Sequence, residues 1–124
     1  MDGIEMIVPV PLDPARERMR GYNQSCCIGE GLAESCRLPV RSDILYRTGK
    51  SDSQTRRGRY ERWENVEGLF AVRKPSEIHL KHLLVVDDVI TTGSTIEACV
   101  NALHEAGEVK ISVAALAVSQ KLTL

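Results

Sequence analysis

Three features of this 124-residue chain predict an α/β fold built on a parallel sheet. Apolar runs at 4–11, 83–87 and 109–118 do not alternate with polar residues, the composition of strands buried on both faces. Segments of helical period separate them, as expected where helices cover a sheet from either side. The third feature is the central run Leu83-Leu84-Val85-Val86-Asp87-Asp88-Val89-Ile90-Thr91-Thr92-Gly93-Ser94-Thr95, in which a strand ends in paired acids and a hydroxyl-rich turn opens onto a helix.

The elements follow in order. Ile4 to Pro11 reads as a short strand centred on Ile7, Val8 and Val10, and Pro9 and Pro11 force an extended exit. Residues 13–21 carry Arg16, Arg18 and Arg20 and close on Gly21, which marks a basic loop. Tyr22 to Cys36 reads as a helix whose inner face is Tyr22, Cys26, Ala33 and Cys36, with Ile28 and Leu32 beside it. Gly29 and Gly31 each cost that helix about 1 kcal/mol relative to Ala. Leu38-Pro39 ends it.

Ile44 to Arg47 and Gly68 to Val72 read as further short strands. Between them, residues 48–59 are polar and basic with no apolar face, and a short helix over Gln54 to Glu64 is expected within or after that stretch. Lys74 to Lys81 is a connection, and Leu83 to Asp87 is the central strand. The next helix shows an S-x-x-E capping box at Ser94 and Glu97, an apolar stripe of Ile96, Cys99, Val100 and Leu103, and a stop at Gly107. Val109 to Val118 closes the sheet.

Composition narrows the function classes. Sixteen Lys and Arg against 17 Asp and Glu argue against a general nucleic-acid binder, and five aromatics give base stacking little material, so direct DNA binding is not expected. No apolar stretch reaches the roughly 18 residues of a membrane span, so no membrane partner is expected. The start of the chain, with Asp2 and Glu5, lacks the basic region of a signal peptide. None of the four cysteines stands in a C-x-x-C pair or at zinc-ligand spacing. Cys99 reads as a core hydrophobe and Cys26 and Cys27 as half-buried, which suits a reducing, cytoplasmic setting.

Three groups of residues carry chemistry. Asp87 and Asp88 emerge where open α/β sheets bind ligands, beyond the carboxyl ends of strands. A strand ending in Asp also holds the metal of NTPases, but the G-x-x-x-x-G-K-[ST] partner loop is missing; a phospho-acceptor pocket would not need the hydroxyl-rich turn. Thr91, Thr92, Gly93, Ser94 and Thr95 place successive N–H groups and hydroxyls at a helix N-terminus, a natural anion cradle. Arg16 and Arg20 directly follow the first strand and so share the sheet edge with Asp87, while Arg47, Lys50, Arg56, Arg57, Arg59 and Arg62 form a second basic group. Guanidinium groups suit phosphate oxygens. Acids for sugar hydroxyls or a metal, beside a cradle for an anion, describe a sugar-phosphate site.

Leu83 to Thr95 resembles the thirteen-residue phosphoribosyl-pyrophosphate (PRPP) signature of type I phosphoribosyltransferases. Val8-Pro9-Val10-Pro11-Leu12, Arg16 and Arg20-Gly21-Tyr22-Asn23-Gln24 resemble the opening of the competence-protein-F (ComF) group. Gln54, Arg62, Asn65-Val66, Gly68 and Phe70 match its middle segment in order. The resemblance implies a phosphoribosyltransferase-type parallel sheet flanked by helices, in one domain over 1–124. The cysteine-rich zinc ribbon that usually precedes this domain in the group has no counterpart within these 124 residues, as expected of either a short member or a piece of a longer chain. By the same resemblance Asp87 and Asp88 are the catalytic and ribose-binding acids, meeting Mg²⁺ directly or through the ribose. Thr91 to Thr95 hold the 5′-phosphate, and Pro11, Leu12, Arg16 and Arg20 face pyrophosphate. Residues 48–62, with Gln54, Arg56 and Arg62, form a flexible loop over bound PRPP, although 48–53 fit the usual loop pattern poorly.

The implied reaction moves phosphoribosyl from PRPP to an unidentified nitrogen acceptor, with Mg²⁺ and release of pyrophosphate. Two alternatives stand beside it: a non-catalytic PRPP- or nucleotide-binding module, and a competence (DNA-uptake) accessory protein. The oligomeric state is left open, with a homodimer common among related enzymes.

Overall fold

A computed structural model of the chain describes residues 3–12, 18–19, 21, 23–48, 69–90 and 93–118. Strand β1 (Met6–Pro9) is buried at all four positions. It lies parallel to strand β4 (His82–Ile90), with Met6 level with Leu83 and Pro9 level with Val86. On its far side β4 runs parallel to β5 (Lys110–Val118), in the order β1-β4-β5. A single extended residue, Val40, borders the free edge of β1: the Ile7 N–H donates to the Pro39 carbonyl at 2.9 Å and the Arg41 N–H donates to the Ile7 carbonyl at 2.8 Å. The expected parallel sheet is thereby present.

Two helices cover its two faces. Helix α1 (Gln24–Cys36) lies on the side of Ile7, Leu84 and Val86, where Ile28, Leu32, Ala33 and Val40 complete a small core. Helix α2 (Ser94–Ala106) lies on the other, where Ala98, Cys99, Ala102 and Leu103 pack with Met6, Val8, Leu83 and Val85. That larger core also takes in Ile44, Leu45, Phe70 and Ile78.

The two further short strands are present as β2 (Leu45–Arg47) and β3 (Phe70–Val72), which pair with each other as an antiparallel ribbon apart from the parallel sheet. Other sequence expectations need correction. A single 3₁₀ turn (Pro75–Glu77) follows β3 within the predicted connection. β1 is shorter than expected, and β4 runs three residues past Asp87 because β5 pairs with it as far as Ile90. The buried face of α1 passes through Ser25 and Gly29, while Cys26 and Cys36 are only half-buried and Cys27 is exposed. A four-residue spacing from Ser25 to Gly29 is what lets this face press against β1. Cys99 is buried as expected.

The capping box is also revised. Gly93 is the N-cap of α2, and no side-chain capping bond forms there; the first turn closes instead through the Glu97 N–H and the Gly93 carbonyl at 2.9 Å. The stop at Gly107 is in place, but with extended rather than left-handed backbone. β5 is less covered than an apolar strand suggests, since Val113 in its middle and Leu116 near its end are exposed. Tyr22 and the expected helix at 54–64 lie outside the described residues.

Candidate functional site

The connections after β1 and β4 depart to opposite faces of the sheet, one into α1 and the other into α2. Between such neighbours the carboxyl ends of the strands open into a crevice, the usual ligand position of α/β sheets. Asp87 is the first residue of β4 beyond the last β1 pair, Pro9 with Val86, so its place in the crevice follows from strand length alone. A cavity of about 350 Å³ lies there. Val10, Pro11 and Leu12 line it from the loop after β1; Asn23, Gln24 and Ser25 from the start of α1; Arg47 from β2; and Asp87, Asp88, Val89 and Thr95 from β4 and α2. A smaller hollow lies alongside, lined by Asp87, Val89, Ile90, Gly93, Thr95 and Ile96.

Asp87 is only 8% exposed. Its Oδ1 accepts the Asp88 N–H at 2.9 Å and the Ser25 hydroxyl at 3.3 Å. Burial pushes the Asp87 carboxyl above the usual carboxylate range, and the neighbouring Asp88 side chain pushes the same way; the Asp88 N–H and the Ser25 hydroxyl pull against them. A buried acid beside a second acid favours a cation or a hydroxyl donor in the crevice. Asp88 is half-buried, and its own Oδ1 accepts the Val89 N–H at 2.8 Å. The two carboxylates are therefore oriented by backbone on one strand.

Among the described residues no group of three or more His, Cys, Asp or Glu is placed to hold a metal. Two adjacent carboxylates alone fit Mg²⁺, which is commonly held by one or two carboxylates with the remaining positions taken by water and substrate oxygens.

Gly93 has φ +84°, a backbone conformation that favours glycine, and a Cβ there would meet nothing within 4 Å. Among the described residues nothing crowds the first turn of α2, where backbone N–H groups and the helix dipole favour an anion. Thr95 lines this space, and Ser94 is the first residue of the helix, with an exposed position. Of the residues expected at the site, Pro11, Leu12, Asp87, Asp88, Gly93 and Thr95 are brought together. Arg16, Arg20, Thr91, Thr92, Gln54, Arg56 and Arg62 lie outside the described residues.

Arg47, expected in the second basic group, lines the crevice, whereas Asn23 and Ser25 were given no role there by the sequence reading. Asn23 caps α1: its Oδ1 accepts from the N–H groups of Ser25 at 2.9 Å and Cys26 at 3.4 Å, while its Nδ2 donates to the Val10 carbonyl at 3.2 Å. An Asn just before a helix is a capping signal, legible had the helix been started two residues later than Tyr22, at Gln24. Ser25 meets Asp87 across 62 residues of sequence, and no local pattern announces that contact.

Residues 32–123 match the family model described as "Phosphoribosyl transferase domain". Among curated proteins the chain is 32% identical over 114 residues to Competence protein F of Haemophilus influenzae, covering 91% of this chain and 50% of that protein. It is 30% identical over 109 residues to DNA utilization protein YhgH of Escherichia coli K12, covering 88% of this chain and 47% of the relative. Competence protein ComFC of Bacillus subtilis is 29% identical over 103 residues, 83% of this chain and 40% of that one. The chain thus spans about half the length, or less, of these curated relatives. Among solved structures, an adenine phosphoribosyltransferase superposes with a TM-score of 0.62 at 15% identity, over 97% of this chain and 60% of that one. The adenine phosphoribosyltransferase of Saccharomyces cerevisiae gives 0.61 at 14% identity, over 98% and 60%. At those identities the superpositions speak for the fold, a type I phosphoribosyltransferase sheet flanked by helices. With the family model matched over most of its length and relatives of the competence-protein-F type, the chain belongs to the phosphoribosyl transferase domain family, in its ComF-type branch.

Proposed function

We propose that this domain binds PRPP with Mg²⁺ in the crevice between β1 and β4 and transfers the phosphoribosyl group to a nitrogen acceptor, releasing pyrophosphate. The observation that carries the reading is the meeting of Asp87 and Asp88 with the Gly93–Thr95 helix start around one crevice. A phosphorylated ribose presents hydroxyls at one end and a phosphate at the other, matching acids on one side and N–H groups on the other.

In this reading the carboxylates of Asp87 and Asp88 take the ribose hydroxyls or the ion bound to them. Thr91 to Thr95 cradle the 5′-phosphate, and Pro11, Leu12, Arg16 and Arg20 face the pyrophosphate. Mg²⁺, when bound, neutralises the departing pyrophosphate. The bond from ribose C1 to pyrophosphate oxygen breaks as the bond to nitrogen forms, and positive charge develops on the sugar. Fixed carboxylates next to that charge lower the barrier without reorganising. Residues 48–62, with Gln54, Arg56 and Arg62, act as the covering loop.

The test is a screen of purine, pyrimidine and amine acceptors for pyrophosphate release from magnesium–PRPP. Release with one acceptor class supports transfer. PRPP binding without release for any acceptor would instead assign the domain as a PRPP-binding module. A second reading, DNA handling, rests on relatives named for competence and DNA utilization. A net charge of −1 gives it little electrostatic support. Duplex and single-stranded DNA titrations at several salt concentrations decide it, since phosphate contacts impose a steep salt dependence.

A further inference from the structure

We propose that Arg47 is a positioning residue that fixes residues 10–12, just after β1, locking their backbone to the β2–β3 ribbon so that they present a fixed face to the pyrophosphate group. The ligand in this inference rests on the function proposed above; the lock itself does not.

The Arg47 Nε–H donates to the Pro11 carbonyl at 3.1 Å. Its guanidinium carbon stands 4.9 Å from the centroid of the Phe70 ring, and Phe70 is its direct partner across the ribbon. Phe70 is buried in the larger core, so the stacking surface is itself anchored. Arg47 thus ties the core, the ribbon and the loop together with one planar group.

The loop is held from two other sides. The Val10 N–H donates to the Val86 carbonyl at 2.9 Å, and the Val10 carbonyl accepts from Asn23 Nδ2 at 3.2 Å. Three elements, β4, α1 and β2, therefore hold two consecutive residues. In a trans peptide the carbonyl and the next N–H point opposite ways. Holding the Pro11 carbonyl on Arg47 accordingly sets the direction of the Leu12 N–H, and Leu12 lines the crevice. A mobile backbone would have to be ordered on each binding event; at Val10 and Pro11 it is held beforehand. Lysine cannot replace the group, because it offers neither the Nε–H nor a plane to stack on Phe70.

The experiment compares Arg47→Lys and Arg47→Met with the unaltered chain. Amide hydrogen exchange is followed at Val10 and Thr48, whose N–H groups donate to the Val86 and Leu69 carbonyls at 2.9 Å each, with residues 94–106 as an internal control for folding. Magnesium pyrophosphate and ribose 5-phosphate are titrated separately. The expected result is exchange at Val10 and Thr48 about tenfold faster or more in both variants, with 94–106 unchanged. Pyrophosphate should bind about tenfold more weakly to both, and ribose 5-phosphate equally well. Unchanged exchange at Val10 in both variants overturns the lock. Full pyrophosphate affinity in Arg47→Lys, with loss only in Arg47→Met, overturns it too, because charge alone would then suffice. Should the unaltered chain bind neither ligand, the proposed function fails, and the exchange result alone decides the inference.

Discussion

Gly29 and Gly31 sit two residues apart in the same helix and should respond oppositely to alanine. In helix interiors Ala is favoured over Gly by about 1 kcal/mol. Gly31 is exposed and a Cβ there would meet nothing within 4 Å, so Gly31→Ala should realise that gain in full. At Gly29 the new methyl would stand 3.2 Å from Ile7 Cγ2 and 3.9 Å from Val40 Cγ1. Ile7 cannot yield easily: it is fully buried, bonded through its backbone to Pro39 and Arg41, and level with Leu84 on β4. Overpacking at such a place costs about 1–3 kcal/mol, which outweighs the helix gain. Gly29→Ala should therefore be neutral to about 2 kcal/mol less stable, and the two variants should differ by about 1–3 kcal/mol. Urea unfolding with a shared slope measures that difference, which amounts to roughly 3–5 °C in Tm per kcal/mol for a chain of this size. Ser25 lies one turn earlier on the same face, so moving α1 away from β1 would also move the hydroxyl on Asp87. Equal stabilisation by both substitutions would refute the close seating of α1.

Other expectations are more local. Asp87 binds its proton more tightly folded than unfolded because it is buried, so its contribution to stability is present at low pH and lost as pH rises through its raised pKa; Asp87→Asn should abolish that decline in urea midpoints. Asp43 behaves oppositely. The hydrogen bond from Arg41, at 2.9 Å, and that from Lys74 hold its carboxyl well below the usual range, so its contribution is present above about pH 4 and fades as pH falls. Because the Asp43 side chain is 42% exposed, Asp43→Asn should cost little. Burial pushes the Cys99 thiol up to about 12, so a thiol reagent near neutral pH should label exposed Cys27 at once and Cys99 only on unfolding, as read by mass spectrometry. Ser25→Ala removes one of the two hydrogen bonds on Asp87 Oδ1 and should weaken magnesium–PRPP binding about three- to tenfold, with Ser25→Thr retaining more.

Much of this arrangement is legible before any coordinates are seen. The central strand announces itself because β4 is buried on both faces, and a strand so placed has no reason to alternate. Asp87 and Asp88 stand out because charge rarely follows such a run without purpose. The Gly93 turn is legible for a similar reason: only a few residue types open a helix onto empty space. What the pattern misreads depends on distance or on neighbours. The ribbon β2–β3 is two three-residue strands, too short to reveal by periodicity whether they join the main sheet. The capping box at Ser94 fails because the backbone takes a left-handed turn at Gly93, which moves the cap one residue earlier. Gly29 looks like a weakness in a helix until Ile7 is placed against it. Ser25 and Arg47 belong to the crevice only through partners far away in the chain, Asp87 and Pro11.

The central claim is that Asp87 and Asp88 hold the ribose of PRPP and its ion. Calorimetric titration of PRPP with Mg²⁺ into the unaltered chain and into Asp88→Asn tests it most directly, since Asn keeps the shape and the backbone contact while removing the charge. Saturable, magnesium-dependent binding to the unaltered chain, weakened at least tenfold by Asp88→Asn, is the expected outcome, about 1.4 kcal/mol or more. Undiminished PRPP affinity in Asp88→Asn would contradict it.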